Sequence, residues 1–325
     1  MKKVNNIKWG IIGLGNIASQ FAADLLLLED AELTAVASRD IVKGTEFAKK
    51  FNAQKVYDSY DLIFEDPEVE IIYIATPHNS HAALSIKALE NGKHVLCEKP
   101  MALSYKDAQR MIEASKKHNK FFMEAFWTRF IPSVQDVLQK INNNAIGQVN
   151  YIKADFAFHG SETENKRLFD KELGGGALFD IGVYPLFLSY ILLGNPKEII
   201  STAIKHKNDV DLQTSMILQY ESAQSVLHAS IVSESDMKAV ISGTKGRIEL
   251  NAPWYVADGY SLFINEEKEA TFTLPTLGKG YSHEIMECQN GIRNNKIESE
   301  LWSHQNCLDL SLIVEEIKKQ IDLPF

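Results

Sequence analysis

The sequence contains few cysteines, and their spacing is not that of a disulfide framework or a zinc site. Cys97, Cys288 and Cys307 are odd in number and far apart in the chain, whereas such frameworks and sites use paired, closely spaced thiols. This pattern predicts a protein of a reducing compartment, which indicates the cytoplasm, and it predicts no metal site.

The chain also has fewer positively charged than negatively charged residues. The chain has 34 lysine and arginine residues against 43 aspartate and glutamate residues, which gives a formal net charge of -9. It shows no basic stripe, whereas proteins that bind nucleic acids cluster their cations along one face. We therefore expect no nucleic-acid partner.

Long apolar runs are missing as well. The longest, from Tyr184 to Leu193, is about half of the roughly 20 residues that a membrane-spanning helix needs. The first residues include Lys2 and Lys3 but continue to Ile7 without the apolar core of a signal peptide. We expect neither a membrane partner nor export.

Internal repeats and low-complexity segments are absent, so the 325 residues are expected to form ordinary globular domains. A chain of this length is too long for one comfortable core. We predict two domains, residues 1–124 and residues 125–325, with the last helix as a candidate to pack back on the first domain.

A glycine-rich turn stands near the start of the first domain. The apolar strand from Trp9 to Ile12 continues into Gly13-Leu14-Gly15-Asn16-Ile17-Ala18 and an amphipathic helix. In this strand, turn and helix context the pattern indicates a dinucleotide site, because the glycines let the backbone approach a pyrophosphate at the helix start. The expected cofactor contacts are Gly13, Gly15, Asn16, Ile17 and Ala18.

The second strand, Leu33 to Ala37, ends at Ser38-Arg39-Asp40. Folds that prefer NAD place an acidic residue near this point to bind the ribose hydroxyls. Here Ser38 and Arg39 come first, and an arginine can hold a 2'-phosphate through charge-assisted hydrogen bonds. We therefore assign both residues to the cofactor and favour NADP. Asp40 either keeps NAD as the alternative or caps the next helix.

A loop with two histidines follows the apolar strand that ends at Ala75. The loop lies at the carboxyl end of its strand, where open α/β sheets bind ligands. No carboxylate or cysteine completes a metal-ligand set around the two histidines. We assign loop and helix-cap roles beside the cofactor to Thr76, Pro77, His78, Asn79 and His81.

The strand Val95 to Cys97 ends in Glu98-Lys99-Pro100. Two opposite charges at a buried strand end are costly unless they are paired or used, and proline ends the strand because it lacks an amide hydrogen. Alone, these residues fit a strand-ending salt bridge. Together with the glycine turn and the histidine loop at the same sheet edge, they predict a cofactor crevice that contains Glu98 and Lys99.

The second domain contains one further stretch with functional chemistry. Gly174-Gly175-Gly176 opens an apolar helix in which Asp180 and Tyr184 stand four residues apart, a spacing that places both on one helix face. A carboxylate and a phenol that point the same way suit a hydroxyl or carbonyl substrate. The alternative is a buried hydrogen bond between them in a domain interface. Predicted strands at 199–205, 212–220, 225–233, 239–242 and 248–250 indicate an open, mainly antiparallel sheet.

Three motifs, in this order, resemble the glucose-fructose oxidoreductase, inositol dehydrogenase and MocA family. They are the glycine turn, Glu98-Lys99-Pro100, and the segment from Gly174 to Tyr184. Within the family, Glu124-Ala125-Phe126-Trp127-Thr128-Arg129-Phe130 is similar to the branch that contains dimeric dihydrodiol dehydrogenase and NADP-linked sugar dehydrogenases. The resemblance covers nearly the whole chain.

The resemblance implies an α/β fold with an N-terminal Rossmann domain and a C-terminal α+β domain. The first has a doubly wound parallel sheet, and the second an open, mainly antiparallel sheet through which a homodimer or a higher homo-oligomer would form. In this family the lysine that matches Lys99 lies beside the nicotinamide, and its following proline bond is commonly cis. The residues that match Asp180 and Tyr184 complete the reaction site. Trp127 and Arg129 are assigned to the cofactor, and Trp127 and Phe156 to the walls of the substrate pocket.

These residues predict hydride transfer between NADP and a secondary alcohol or hemiacetal carbon of a small sugar, polyol or dihydrodiol. Tyr184 would exchange the hydroxyl proton, and Asp180 would orient the substrate. Lys99 would hold the substrate oxygen and lower the pKa of the phenol from its ordinary value of about 10, or would itself be the proton donor. The alternatives are a catalytically silent NADP- or sugar-sensing regulatory protein, and a structural subunit that binds no cofactor.

Overall fold

The structure is a computed structural model that describes residues 6–163 and 165–324. Lys2, Lys3 and the outer ends of the two predicted domains, residues 1 and 325, lie outside the described residues. The described part of the chain forms two compact units. The first contains residues up to Trp127 together with Leu277–Leu308, and the second contains Thr128–Thr276 and the chain from Asp309 onward.

The strands are short and fall into two sheets. They are β1 (Ile7–Ile12), β2 (Ala31–Ala37), β3 (Lys55–Tyr57), β4 (Ile71–Ile74), β5 (His94–Glu98), β6 (Phe122–Ala125), β7 (Val149–Ala157), β8 (Glu198–Lys205), β9 (Asp211–Gln219), β10 (Gln224–Ser230), β11 (Ala239–Gly243), β12 (Gly246–Leu250), β13 (Gly259–Ile264) and β14 (Glu267–Thr273).

Helices alternate with the strands in the first unit and are sparser in the second. They are α1 (Asn16–Leu25), α2 (Ile41–Phe51), α3 (Tyr60–Glu65), α4 (His81–Glu90), α5 (Tyr105–His118), α6 (Pro132–Asn142), α7 (Val183–Leu193), α8 (Tyr281–Arg293) and α9 (His304–Gln320). Several begin at a polar residue whose side chain accepts hydrogen bonds from the first amides, as Asp40 does for α2 and Ser104 for α5.

The first unit contains a six-stranded parallel sheet in the order β3-β2-β1-β4-β5-β6. Strand β4 is buried at every position, because helices cover both faces of a parallel sheet and favour apolar residues throughout. The strand order reverses beside β1, and the carboxyl ends of β1, β2, β4 and β5 lie at one edge. Open sheets of this kind bind ligands at that edge.

The carboxylate of Asp24, on α1, fastens the beginning of α8. Asp24 is buried, and its oxygens accept hydrogen bonds from the amides of Lys279, Tyr281 and Ser282 at 2.9 to 3.3 Å. Amides at a helix start have no partner within the helix, so a carboxylate there is stabilising. Helix α8 therefore completes the first unit, although 257 residues separate Asp24 from Tyr281.

The second unit contains an eight-stranded sheet in the order β14-β13-β12-β11-β7-β10-β9-β8. Strands β7 and β10 are parallel, and the other neighbours are antiparallel. Alternate residues are buried over the first part of β10, where Ser225 and Leu227 are buried and Gln224 and Val226 are exposed. The predicted α/β fold class, with a doubly wound parallel sheet followed by a mainly antiparallel one, is confirmed.

Helix α7 belongs to a long apolar stretch in the second unit. The helical stretch Lys171–Leu193 has a window of mean hydropathy 1.7 and is long enough to cross a membrane, but 78% of that window is buried inside the protein. Beside it lies a cluster of buried residues that includes Phe169, Ile181 and Ile231. The stretch is a core helix of this unit.

The last two strands of the sheet were not predicted from the sequence, which indicated none after residue 250. Strand β14 is exposed at most of its positions, because it lies at an edge of the sheet. Edge strands carry many charged residues and therefore lack the regular apolar alternation that identifies a strand.

Candidate active site

The turn between β1 and α1 has the shape that a dinucleotide phosphate needs. Gly13 has a φ of 81°, and a Cβ there would lie 2.5 Å from backbone atoms of Ala75 and Thr76. Glycine is therefore required, and the turn contacts the loop that follows β4. Gly15 is the N-cap residue of α1 and has no side chain to occupy the first amides of the helix. The residues present fit a dinucleotide, whose phosphates bind helix-start amides.

The remaining predicted residues of this turn divide between surface and core. Asn16 and Ile17 are exposed, Ile17 by 40%, whereas Ala18 is fully buried. A small residue at position 18 allows the close helix packing expected of this fingerprint. Asn16 and Ile17 therefore belong to the surface that an approaching cofactor would meet.

At the end of β2, Asp40 is engaged with the helix that follows it. Its Oδ1 accepts hydrogen bonds from the amides of Val42 and Lys43 at 3.0 and 3.2 Å, and Ser38 Oγ accepts one from the Asp40 amide at 3.1 Å. Ser38 is buried and Arg39 is exposed. Of the two roles considered for Asp40, the structure places it as a helix cap.

The loop after β4 brings the predicted residues of the histidine segment together. Ser80 Oγ lies 2.7 Å from the carbonyl oxygen of Pro77, to which it donates, and 2.7 Å from the hydroxyl oxygen of Thr76. His78 is buried, with the centroid of its ring 5.5 Å from that of His81, and Asn79 is exposed. The loop is thus closed by its own hydrogen bonds.

His81 is fully buried, and its two ring nitrogens face two carbonyl oxygens. Nε2 lies 2.8 Å from the Thr76 oxygen, and Nδ1 lies 2.9 Å from the Pro100 oxygen. Carbonyl oxygens accept but do not donate, so the ring satisfies both when it donates from both nitrogens, as the cationic form does. His81 therefore ties the loop after β4 to the turn after β5.

Glu98, the last residue of β5, is held within the first unit. Its Oε1 accepts a short hydrogen bond from the hydroxyl of Tyr73 on β4, and its Oε2 accepts one from the Lys99 amide at 3.2 Å. Burial and the charge of Glu98 raise the pKa of the Tyr73 phenol well above its ordinary value. Tyr73 therefore stays protonated and acts as a donor to the carboxylate.

The turn that carries Lys99 is held from two sides. The Lys99–Pro100 peptide bond is cis, as the family resemblance implied. The carbonyl of Pro100 is held by His81, and the Met101 amide donates to Glu124 Oε1 at 2.9 Å. Burial raises the pKa of Glu124, while the Met101 amide and the charge of Lys99 act in the opposite direction.

A further buried carboxyl group of the first unit is Glu284 on α8, which no sequence motif indicated. Both of its oxygens are buried without a hydrogen-bond partner among the described residues. Burial, followed by the charges of Glu98 and Asp24, raises its pKa well above the ordinary value. Both causes disfavour the charged form of Glu284.

Trp127 and Arg129, assigned to the cofactor from the sequence, share a short helical turn but belong to different units. Trp127 is buried in the first unit and stacks on Tyr281, with ring centroids 4.7 Å apart and planes at 3°. In the second unit, the backbone carbonyl of Arg129 accepts a short hydrogen bond from Gln135. Both side chains are largely buried.

In the second unit, the three glycines fit closely against their surroundings. Gly174 ends a short turn with a φ of 71°, and a Cβ at Gly175 would lie 2.5 Å from the Arg167 oxygen. The helix then begins with a π-helical turn, Leu178–Gly182, before α7. Asp180 therefore lies in the π turn and Tyr184 in the first turn of α7, and π turns of this kind occur frequently at functional sites.

Asp180 forms an ion pair that was not predicted. Its Oδ1 lies 2.5 Å from Nη2 of Arg167, in a pair whose side chains are 16% and 38% exposed, respectively. Arg167 precedes the glycines in a short helical turn, Lys166–Phe169. The hydrogen bond from the guanidinium fixes the direction of the Asp180 carboxylate.

Tyr184 lies in an aromatic cluster with Phe156, the predicted pocket wall. The centroid of its ring is 5.4 Å from that of Phe156 and 5.4 Å from that of Tyr255. Phe156 and Tyr255 stack with centroids 4.2 Å apart. Tyr255 was missed by sequence reasoning, although an aromatic pair with Trp254 directly after Pro253 was a signal for it.

Comparisons with known proteins agree with this arrangement. Residues 7–126 match a family model described as an oxidoreductase family with an NAD-binding Rossmann fold, and residues 134–249 match the GFO/IDH/MocA C-terminal domain. A trans-1,2-dihydrobenzene-1,2-diol dehydrogenase from Xenopus tropicalis is 33% identical over 331 residues, which cover 98% of this chain and 99% of the relative. The enzyme of that name from Bos taurus is 34% identical over 342 residues, with 98% of each chain covered.

Solved structures share the fold over nearly the full length. A 3-ketoreductase from Actinomadura kijaniata, in complex with NADP and TDP-benzene, has a TM-score of 0.88 at 23% identity, with 98% of each chain covered. A levoglucosan dehydrogenase in complex with NADH and levoglucosan has a TM-score of 0.86 at 21% identity, with 98% of each chain covered. The chain belongs to the GFO/IDH/MocA oxidoreductase family and is an NAD(P)-dependent dehydrogenase or reductase that acts on CH–OH groups.

Proposed function

We propose that the protein transfers hydride between NADP and a secondary alcohol or hemiacetal carbon of a small sugar, polyol or dihydrodiol. The named activities of the dihydrodiol, ketosugar and levoglucosan relatives support this class of substrate. The observation that carries the proposal is the position of Tyr184, a phenol set among the aromatic rings of Phe156 and Tyr255.

The aromatic cluster suits a ring-shaped, polyhydroxylated substrate. Aromatic side chains present a large apolar face, on which the C–H face of a sugar or a cyclic diol can lie. The phenol of Tyr184 adds a group that both donates and accepts a hydrogen bond. Tyr184 exchanges the proton of the reacting hydroxyl, and the Asp180 carboxylate, held by Arg167, orients a neighbouring hydroxyl.

Lys99 is the third catalytic residue in this proposal. It follows Glu98 in a turn that His81 and Glu124 hold in place, so its backbone has a fixed position. Its ammonium group holds the substrate oxygen, where it stabilises the negative charge that develops as the hydroxyl proton leaves. Lys99 as the proton donor, in place of Tyr184, is the alternative that the variants below distinguish.

The cofactor, when bound, supplies or accepts the hydride at its nicotinamide ring. In this proposal the cofactor is bound by the residues of the glycine turn, the end of β2 and the loop after β4, and by Glu98, Lys99, Trp127 and Arg129. NADP is favoured because Asp40 is occupied as the cap of α2 while Arg39 at the same edge is exposed. An exposed guanidinium suits a 2'-phosphate.

The test of the reaction is a panel of sugars, polyols and cyclic diols, assayed by the absorbance of the reduced nicotinamide. Tyr184→Phe and Lys99→Met are each expected to lower kcat at least about 100-fold, because each removes a group that acts on the reacting oxygen. The matched controls are Tyr105→Phe and Lys106→Met at the start of α5, which should keep kcat within about twofold.

The pH profile separates the two proton donors. If Tyr184 is the donor, Lys99→Met shifts the pKa that limits kcat but leaves a dependence on pH, whereas Tyr184→Phe removes that dependence. The reverse pattern would assign proton transfer to Lys99. Near-normal turnover of both variants, with NADP affinity unchanged, would remove the proposal.

The cofactor preference has its own test. Arg39→Ser is expected to lower kcat/KM for NADP by about 10- to 100-fold, the size of a charge-assisted hydrogen bond of about 1.5–3 kcal/mol, with little change for NAD. Arg110→Ser, which removes an exposed arginine of α5, is the control. A wild-type enzyme that prefers NAD would contradict the assignment of Arg39.

We further propose a homodimer that forms through the open face of the second-unit sheet. Ile200, Ile217 and Val226 are cross-strand neighbours on β8, β9 and β10, and they are 56%, 38% and 40% exposed. Such an apolar row on a sheet is typical of a contact surface. Ile217→Lys should yield a monomer in analytical ultracentrifugation, and a wild-type monomer would contradict the proposal.

The three cysteines are free and buried, which supports the proposal of a reducing compartment such as the cytoplasm. Buried thiols without partners persist where no oxidant converts them into disulfides. Localisation of a fluorescently labelled full-length chain would test it.

A further inference from the structure

Asp211 is a buried carboxyl group that faces the beginning of the helical segment of Asp180 and Tyr184. It is the first residue of β9 and is 0% exposed. Its Oδ2 accepts hydrogen bonds from the Leu178 amide at 2.7 Å and from the Thr214 hydroxyl at 2.6 Å. The Ala177 amide also stabilises the carboxylate. The Asp211 side chain therefore accepts hydrogen bonds from amides at the start of the segment, which have no partner within the helix.

Gly176 makes this approach sterically feasible. Its φ is 105°, and a Cβ at this position would lie 2.2 Å from Asp211 Oδ1. Any side chain at 176 would therefore push the carboxylate away from Leu178, in addition to the strain of a left-handed conformation. The position of the Asp211 carboxylate therefore requires a glycine at position 176.

The segment has no N-cap side chain of its own. The residue before the π-helical turn is Ala177, whose side chain cannot accept a hydrogen bond. Asp180 lies two residues after Leu178, and Tyr184 is the second residue of α7. The Leu178 amide therefore lies in the same turn as Asp180, and the backbone continues directly from that turn to Tyr184.

We propose that Asp211 is a positioning residue, whose carboxylate fixes the start of the segment 178–193 and thereby the orientation of Asp180 and Tyr184. The inference rests on the proposed function, in which Asp180 and Tyr184 act on the substrate. Asp211 itself does not contact the reacting atoms. Its effect on turnover passes through the backbone of Leu178.

The experiment compares Asp211→Asn with Asp209→Asn in the full-length protein. Asp209 lies two positions earlier, is exposed and pairs with Lys171 on the surface, so the control makes the same chemical change outside the buried site. Asp211→Asn is expected to lower kcat about tenfold or more, the equivalent of one charge-assisted hydrogen bond. The dissociation constant of NADPH, followed by its fluorescence, should stay within about twofold. Asp209→Asn should keep both values.

A second measurement does not depend on turnover. Hydrogen–deuterium exchange of the folded proteins, followed by mass spectrometry, should show faster exchange in Asp211→Asn confined to peptides that cover residues 177–184. A merely structural loss of stability would instead raise exchange throughout the second unit. Thr214→Val, which removes one donor and keeps the carboxylate, should show the same pattern to a smaller degree, and it replaces Asp211→Asn if that variant does not fold.

The two measurements separate this inference from the proposed function. Locally faster exchange with unchanged kcat would support the role of Asp211 in fixing the backbone of this segment. It would also show that Asp180 and Tyr184 do not limit the reaction, which would contradict the proposed function. Unchanged exchange at 177–184 together with wild-type kcat would overturn the role of Asp211. So would a loss of kcat that the control variant Asp209→Asn shares.

Discussion

The two elements that carry the proposed catalytic residues are held in place to different degrees. In the first unit, the turn of Lys99 is held at its carbonyl side by His81 and at its amide side by Glu124. In the second unit, the start of the helix with Asp180 and Tyr184 is held at its amide side by Asp211. Two buried side chains therefore hold the turn of Lys99, whereas one buried side chain holds the start of the helix.

The chemistry of each anchor follows from the backbone groups that it meets. A turn after a strand presents both carbonyl oxygens and amides, so it can use a donor and an acceptor. A helix start presents amides, so an acceptor is required. We therefore expect single substitutions around Asp211 to have larger effects than single substitutions around the Lys99 turn.

Gly176→Val should break the second-unit anchor most severely. The valine would combine a left-handed conformation with displacement of the Asp211 carboxylate, and we expect a loss of roughly 5 kcal/mol in the free energy of unfolding. Urea denaturation measures this value. Gly194→Ala is the control, since Gly194 also has a positive φ but no atom within 4 Å of an added Cβ. Equal losses for both variants would show that conformation alone matters at position 176.

The charge of Asp211 should also make stability depend on pH. Burial raises its pKa from 3.8 to about 7, against the opposing effects of Thr214 and the amides of Leu178, Ala177 and Asp211 itself. Between these values the folded protein binds one proton more than the unfolded chain, so this contribution to stability falls as pH rises from about 4 to 7. The full change is roughly 4 kcal/mol.

Asp211→Asn cannot titrate, and this variant isolates the contribution. We compare the unfolding free energy of the wild type with that of Asp211→Asn. Relative to the variant, the wild type should lose that amount of stability as pH rises from about 4 to 7. Denaturation curves at several pH values measure it. A difference that is flat with pH would mean that Asp211 keeps an ordinary pKa.

His81→Leu should have a smaller effect, because Glu124 still holds the Met101 amide. The substitution leaves the carbonyls of Thr76 and Pro100 without this donor, which we expect to cost about 2–3 kcal/mol of stability. The double variant with Glu124→Gln should lose more kcat than the product of the two single effects, since both act on one turn. His118→Leu is the control. Independent effects would show that the two anchors do not support the same element.

Arg167→Gln should have the smallest effect. It tests whether the Asp180 carboxylate needs a charged partner in addition to its anchored backbone. The pair is partly exposed, so solvent screening limits it to about 1 kcal/mol, which corresponds to an increase of up to about fivefold in KM for the substrate. Steady-state kinetics measure it, with Arg110→Gln as the control. A large fall in kcat would assign Arg167 a direct part in the reaction.

The sequence predicts the residues of the Lys99 turn better than those of the Asp180 helix. The glycine turn, the loop of His78 and His81, and Glu98-Lys99-Pro100 are local motifs at strand ends, so their place at one sheet edge follows from the parallel order of the strands. The predicted positions of the strands that carry them agree with the structure. These features depend on short-range patterns of apolar and polar residues.

Asp211, Arg167 and Tyr255 could not be found in the same way. Each contacts its partner from a different element, and no spacing along the chain links Asp211 to Leu178 or Tyr255 to Tyr184. The sequence also gave no indication that a π-helical turn lies at the start of the segment that carries Asp180 and Tyr184. Such a turn has no residue signature of its own and arises from the contacts around it.

The hydrogen bonds between Asp24 and the start of α8 have a consequence for synthesis of the chain. The ribosome completes the six strands of the first sheet long before it reaches Ser282, the last residue whose amide meets that carboxylate. About 150 further residues are therefore added to the chain between completion of the nucleotide-binding sheet and synthesis of the start of α8. During this time Asp24 lacks its hydrogen bonds to α8. The first unit to begin folding is completed only when almost the whole chain has been made.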